Sequence, residues 1–168
     1  ELIEKVLIHE SRFFRDELAI EFVANTVHSK GDAPVSIWSA GCSSGEEVWS
    51  IAMRLSAQNQ ACKIIATDIS SKIIKQALTR KFNLSKLGQI PFNFHDRYVK
   101  KVDLKTFEIQ TDLNWSVNFI EFNLMENTYM YRNLDVIFCQ NVLIYFRSFE
   151  RIDILNRMVQ CLRVGGVI

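Results

Sequence analysis

An apolar run, Val35–Ala40, passes directly into the small residues Gly41-Cys-Ser-Ser-Gly45, and these into an amphipathic stretch, Glu46–Ala57, with Val48, Ile51, Ala52 and Leu55 on one face. A buried strand, a tight small-residue turn and a helix in that order open a βα unit, and the alternation then repeats. Cys62–Ile69 is predicted as the second strand, followed by a helix over Ser71–Leu78 that faces Ile73, Ile74, Ala77 and Leu78 inward. Val117–Phe122 is predicted as the third strand and Leu134–Cys139 as the fourth, apolar enough for the centre of a parallel sheet. Ser148 is placed as the cap of a helix with the stripe Ile152, Leu155, Val159 and Leu162, ended by Gly165; a new strand would begin at Val167–Ile168. Upstream, Phe13–Val27 has helical spacing at Phe14, Leu18, Phe22 and Val23. The expectation is an α/β fold, a doubly wound parallel sheet with right-handed crossovers. Between Pro91 and Ser116 two alternating segments, Tyr98–Lys105 and Thr106–Leu113, predict a small antiparallel β-subdomain inserted at about residues 97–118.

The chain has 168 residues, enough for one domain. Its 20 basic residues nearly balance 19 acidic ones, so composition supplies no field for unspecific nucleic-acid binding. Apolar runs such as Val142–Phe146 are far too short to span a bilayer, and residues 1–10 carry no signal-peptide pattern. Cys42, Cys62, Cys139 and Cys161 lie far apart, with no C-x-x-C pair and no histidine at metal-ligand spacing; no metal is expected. That usage fits a reducing compartment, the cytoplasm.

Ligands of open parallel sheets bind beyond the strand carboxyl ends, at the switch point. There the Ser39–Gly45 turn lets backbone approach a ligand. It lacks G-x-G-x-x-G and a P-loop lysine, and Glu46 and Glu47 at the helix start would repel a pyrophosphate. They suit a ligand with positive charge, or are simply first-turn acids. Asp68 closes the second strand, where an acid accepts ribose hydroxyls or caps the next helix. A nucleoside without diphosphate and with a cationic group describes S-adenosylmethionine. Asn123-Leu124 and Gln140-Asn141, at the ends of the third and fourth strands, either hold such a ligand or cap their own loops, and Tyr145 is either a rim hydroxyl or core.

On these residues the chain resembles the chemotaxis receptor glutamate O-methyltransferases, the CheR family. Ser11-Arg-Phe-Phe-Arg15-Asp16 is similar to the family's T-x-F-F-R segment, and Ile37–Glu47 to its W-S-A-x-x-S-x-G-E-E loop. Ala66-Thr-Asp68-Ile matches its second-strand end, and Ile137–Phe146 its F-C-R-N-V-x-I-Y-F. The resemblance implies a class I methyltransferase sheet with an inserted β-subdomain that docks a receptor tail in some members. It implies methylation of glutamate carboxylates on the cytoplasmic domain of methyl-accepting chemotaxis receptors, leaving S-adenosylhomocysteine. By motif position, His9, Ser11, Arg15, Glu47, Asp68, Asn123, Leu124, Gln140 and Asn141 would line the cofactor, with Arg15 and Tyr145 beside the transferred methyl and the incoming carboxylate.

The chain departs from the family pattern at His9 (usually Asn), Ser11 (usually Thr), Val48-Trp49 (usually Pro-Tyr) and Gln140 (usually Arg). The family's N-terminal helical domain and last strands are expected to be missing, so that the sheet is truncated at its C-terminal side. Lys72, Lys75, Arg80, Lys81 and Lys86 are either a substitute docking face or a solvated helix face. The alternative function is a non-catalytic relative that binds the cofactor or a signalling partner without turnover. A small-molecule or nucleic-acid methyltransferase is disfavoured by the lack of an N-P-P-[YF] loop and of a basic cleft.

Overall fold

The computed structural model describes residues 11–27, 33–112 and 114–168. Its helices are α1 (Glu17–Val27), α2 (Glu46–Ala57), α3 (Ser71–Leu78), α4 (His95–Tyr98) and α5 (Ser148–Val159). Its strands are β1 (Val35–Ala40), β2 (Cys62–Asp68), β3 (Lys81–Asn83), β4 (Val99–Lys101), β5 (Thr106–Ile109), β6 (Trp115–Glu121), β7 (Leu134–Phe138) and β8 (Leu162–Val167). Five strands form one parallel sheet in the order β6-β2-β1-β7-β8, and the other three an antiparallel sheet in the order β3-β5-β4.

The chain runs outward from β1 to β2 and β6, then crosses back to β7 on the other flank of β1. Connections leaving β1 and β7 therefore diverge and open a crevice between them, the switch point of a doubly wound sheet. Register brings the strand ends level: Ala40 lies beside Thr67, Thr67 beside Ile120, and Ser39 beside Phe138.

Side chains alternate across the pleat, so each face of the sheet has its own core. Val35, Ile37, Ile64, Ala66, Val136 and Phe138 pack with α1, α2 and α3 on one side. On the other, Trp38, Ala40, Leu134 and Ile137 pack with Ile154, Met158 and Cys161. No helix among the described residues is long and apolar enough to cross a membrane.

Several sequence expectations need correction. The first helix begins at Glu17 rather than Phe13, capped by Asp16, whose Oδ1 accepts from Ala19 N at 3.0 Å. It buries Ile20, Val23, Ala24 and Val27, leaving Leu18 and Phe22 exposed. In α3 only Ile74 and Ala77 are buried, and Leu78 faces out. Arg147, not Ser148, caps α5, its backbone N–H donating to Glu150 at 2.7 Å. That helix buries Ile154 and Met158, with Ile152 and Val159 exposed. It stops before Leu162, which already belongs to β8; Gly165, predicted as a helix terminator, lies inside that strand at φ 76°. The small sheet recruits Lys81–Asn83, upstream of the expected insert, and Trp115–Glu121 belongs wholly to the main sheet.

Candidate functional site

The divergence of loops beyond β1 and β7 opens a cavity of about 570 Å³, lined from the carboxyl ends of β1, β2, β6 and β7 and from residues 11–20. Its floor is the β1–α2 turn. The Thr67 carbonyl accepts from both Gly41 N at 2.7 Å and Cys42 N at 2.8 Å, folding the turn across the end of β2. Gly41 has φ 78°, and a Cβ there would sit 2.1 Å from Val142 Cγ2, so only glycine fits. Asp68 ties two loops: its Oδ2 accepts from Ser43 N at 3.0 Å and its Oδ1 from Ser70 N at 3.1 Å. Each carboxylate oxygen keeps a further lone pair for a ligand hydroxyl.

Glu47 lines the cavity and accepts a hydrogen bond from Ser39 Oγ at 2.7 Å. Burial pushes its carboxyl up from the usual 4.5 to about 7, against the pull of the Ser39 hydroxyl and the Arg15 charge, with Asp16 adding to the rise. The neighbouring thiols are also pushed up by burial, Cys139 to about 12 and Cys42 further still. Neither is a thiolate nucleophile at neutral pH.

Glu46 does not share this role. Consecutive helical residues point about 100° apart, and the Glu46 side chain is fully buried away from the cavity. It accepts from Ser44 Oγ at 2.9 and 2.7 Å and forms an ion pair with Lys86. Of the two acids expected to face a cation together, only Glu47 lines the cavity. Among the basic residues expected as a docking or solvated helix face, Lys86 is thus ion-paired with Glu46 and Arg80 with Glu108 at 2.9 Å.

Residues 11–16 form one wall. Phe13 packs edge-on against Phe82 with ring centroids 4.8 Å apart, and Phe14 stacks on Phe94 at 5.2 Å, pinning the segment to the small sheet and to the stretch before α4. With both rings buried, Ser11, Arg12, Arg15 and Asp16 are left lining the cavity. Gln140 Nε2 donates to Asp16 Oδ2 at 3.2 Å and links this wall to the loop after β7. That loop carries Asn141 at φ 56° and the turn Leu143–Tyr145, which sets Tyr145, half exposed, on the rim. Beyond β6, Asn123 Oδ1 accepts from Met125 N at 2.9 Å, while the carbonyl of buried Leu124 is held by Tyr129 Oη at 2.6 Å.

The structure thus gathers Ser11, Arg15, Glu47, Asp68, Asn123, Leu124, Gln140, Asn141 and Tyr145 around one cavity. His9 lies outside the described residues. Sequence reasoning passed over Ser43, whose Oγ is buried without a partner among the described residues and whose residue lines the cavity. Its place inside the small-residue turn was the available signal. It also passed over Asp16 as the partner of Gln140, a pairing across 124 positions that no local pattern announces.

Residues 9–168 match the family described as CheR methyltransferase, SAM binding domain. The chain belongs to that family. Curated relatives of this CheR-family domain include the chemotaxis protein methyltransferase of Borreliella burgdorferi, 31% identical over 94% of this chain and 61% of that protein. The chemotaxis protein methyltransferase of Listeria monocytogenes is 30% identical over 100% of this chain and 66% of its own length. Chemotaxis protein methyltransferase 2 of Vibrio cholerae is 29% identical over 99% and 62%. The chain therefore spans a little under two thirds of the length of these relatives.

Among solved structures, the plantazolicin methyltransferase BpumL in complex with a pentazolic desmethylPZN analog and SAH superposes with a TM-score of 0.56 at 18% identity, over 92% of this chain and 45% of that one. The magnesium protoporphyrin IX methyltransferase ChlM of Synechocystis PCC 6803 with bound SAM gives 0.51 at 17%, over 87% and 54%. At such identities the likeness concerns the fold, that of class I S-adenosylmethionine-dependent methyltransferases.

The residues of this CheR-family domain fit the cofactor its family binds. The cavity falls within the roughly 300–1,000 Å³ usual for small-molecule sites. It presents an acid with spare acceptor capacity at the end of β2, a second acid facing inward from α2, and an orphaned buried hydroxyl at Ser43. A nucleoside with diol and cation needs acceptors of that kind, set apart.

Proposed function

We propose that this domain binds S-adenosylmethionine in the cavity and methylates glutamate side-chain carboxylates on the cytoplasmic domain of chemotaxis receptors, forming glutamyl methyl esters in the cytoplasm. The observation that carries the reading is that two acids from different elements, Asp68 on the β2 end and Glu47 on α2, line one cavity bordered by Arg15 and Tyr145. The names of the relatives support the choice of substrate.

Asp68 holds the ribose hydroxyls, and Glu47 with Ser11 and Arg15 surrounds the amino-acid end. Asn123, Leu124, Gln140 and Asn141 complete the walls. The cofactor supplies a sulfonium methyl. A glutamate carboxylate, ionised above about pH 4.3, needs no general base to accept it. Arg15 neutralises and steers that carboxylate, Tyr145 orients it through its hydroxyl, and the apolar rim at Ile144 and Phe146 excludes water.

Incubating the domain with methyl-labelled cofactor and a receptor cytoplasmic fragment tests the reading. The expected label is released as methanol by mild alkali, as an ester requires. Alkali-stable label, or none at all from a sample that binds S-adenosylhomocysteine, counts against it.

A further inference from the structure

Lys86 lies outside the cavity, in the two-turn 3₁₀ segment Leu84–Gln89 that leaves β3 of the small sheet. Its ammonium nonetheless meets two elements that build the cavity. It pairs with the carboxylate of Glu46, the fully buried first residue of α2 and the neighbour of Glu47, and it donates to the carbonyl of Ser11 at 3.2 Å. Three residues on, Gln89 Oε1 accepts from Phe13 N at 3.0 Å. On the far side, Phe14 N donates to Ser50 Oγ at 2.9 Å, and that hydroxyl donates to the Glu46 carbonyl at 2.6 Å. Residues 11–14 are therefore gripped between the segment after β3 and the first two turns of α2, with Lys86 bonded both to Ser11 and to Glu46.

Glu46 is fully buried while Lys86 keeps about a third of its side chain exposed, so the cost of burying the carboxylate offsets much of the attraction and the pair is a weak source of net stability. An apolar pair would fill the space equally well. An ammonium has directed donors, and here one of them fixes a backbone carbonyl at the cavity wall. From this geometry, and resting on the cofactor reading above, we infer that Lys86 is a positioning residue for the amino-acid end of the cofactor: by tying Ser11 to Glu46 it sets Arg15 against Glu47. Asp68 is held by Ser43 N and Ser70 N, on elements that Lys86 does not touch.

Replacing Lys86 alone would strand the Glu46 charge, so the test uses the neutral pair Glu46→Gln/Lys86→Met, with Lys86→Arg as the conservative control. Titration calorimetry compares S-adenosylhomocysteine with methylthioadenosine, which has the nucleoside but no amino acid. The pair variant is expected to lose about tenfold in affinity for S-adenosylhomocysteine while binding methylthioadenosine within about twofold of wild type, and Lys86→Arg is expected to recover most of the loss. Limited trypsin digestion should cleave the pair variant faster after Arg12 and Arg15. Unchanged S-adenosylhomocysteine affinity in a variant that melts cooperatively, or an equal loss for both ligands, overturns the inference. If the pair variant does not fold, Glu46→Gln/Lys86→Gln, which keeps both sites neutral and polar, carries the same expectations. If wild type binds neither ligand, the cofactor reading fails, and trypsin still decides whether Lys86 holds the wall.

Discussion

Ser39, near the end of β1, donates its hydroxyl at 2.7 Å to the carboxylate of Glu47, the second residue of α2. The bond holds an acid inside the cavity at the point where strand gives way to helix. Because burial raises the Glu47 carboxyl from 4.5 to about 7, the empty site keeps a proton there over much of the acid range. The folded state then binds more protons than the unfolded chain between those two values, so this group makes the empty domain less stable as pH rises through that window. A ligand that sets an ammonium group against Glu47 prefers the ionised form. Affinity for S-adenosylhomocysteine is expected to rise with pH, close to tenfold per unit below about 7, and to level off above it. Glu47→Gln should abolish that slope and lower affinity at pH 8, as calorimetry across pH will show.

Asp68→Asn keeps the shape but halves the acceptors. It removes one partner from Ser43 N or Ser70 N and loses the ribose grip. About 1–2 kcal/mol of stability should go, together with at least about tenfold in cofactor affinity. Thermal denaturation with and without S-adenosylhomocysteine separates the two effects, since the variant's ligand-induced rise in Tm should shrink.

Gly41→Ala should be among the most damaging single-methyl additions. The new Cβ meets Val142 at 2.1 Å in a left-handed backbone position, which adds strain to overpacking. About 3 kcal/mol of destabilisation is expected in urea unfolding. A proline-free turn with spare room would lose well under 1 kcal/mol.

Phe13→Ala empties a site between Phe82 and Phe107, with ring centroids at 4.8 and 6.0 Å. A loss of about 3–5 kcal/mol is expected. Because the same residue anchors the cavity wall, cofactor affinity should fall as well, whereas Phe107→Leu should affect stability more than binding.

Tyr145→Phe removes only a rim hydroxyl. Turnover with a receptor fragment is expected to fall about tenfold or more while affinity for S-adenosylhomocysteine stays within about twofold. Equal losses in both would assign the hydroxyl to cofactor binding instead.

The main sheet was legible because its central strands carry unbroken apolar runs. Val35–Ala40 was read to the residue, and β2 and β7 to within one. The three-residue β3 is too short to show a period, and β8 was hidden because Leu162 falls in phase with the preceding helix. For α1 and α5 the periodicity showed that an apolar stripe exists but misplaced the buried face, since Leu18, Phe22, Ile152 and Val159 are exposed. Docking geometry decides between neighbouring stripes, and it is set by the sheet rather than by the helix. Most of the candidate site was legible because its residues sit in short contiguous motifs at strand ends. The division of labour between Glu46 and Glu47 was not, because it depends on Lys86, forty positions away.

Titration calorimetry of the wild-type domain with S-adenosylhomocysteine at pH 8, beside Asp68→Ala, bears most directly on the cofactor cavity. One ligand per chain with an affinity that collapses in Asp68→Ala is the predicted result. A cooperatively folded wild-type sample that gives no heat of binding, or that binds equally well without Asp68, would contradict the account.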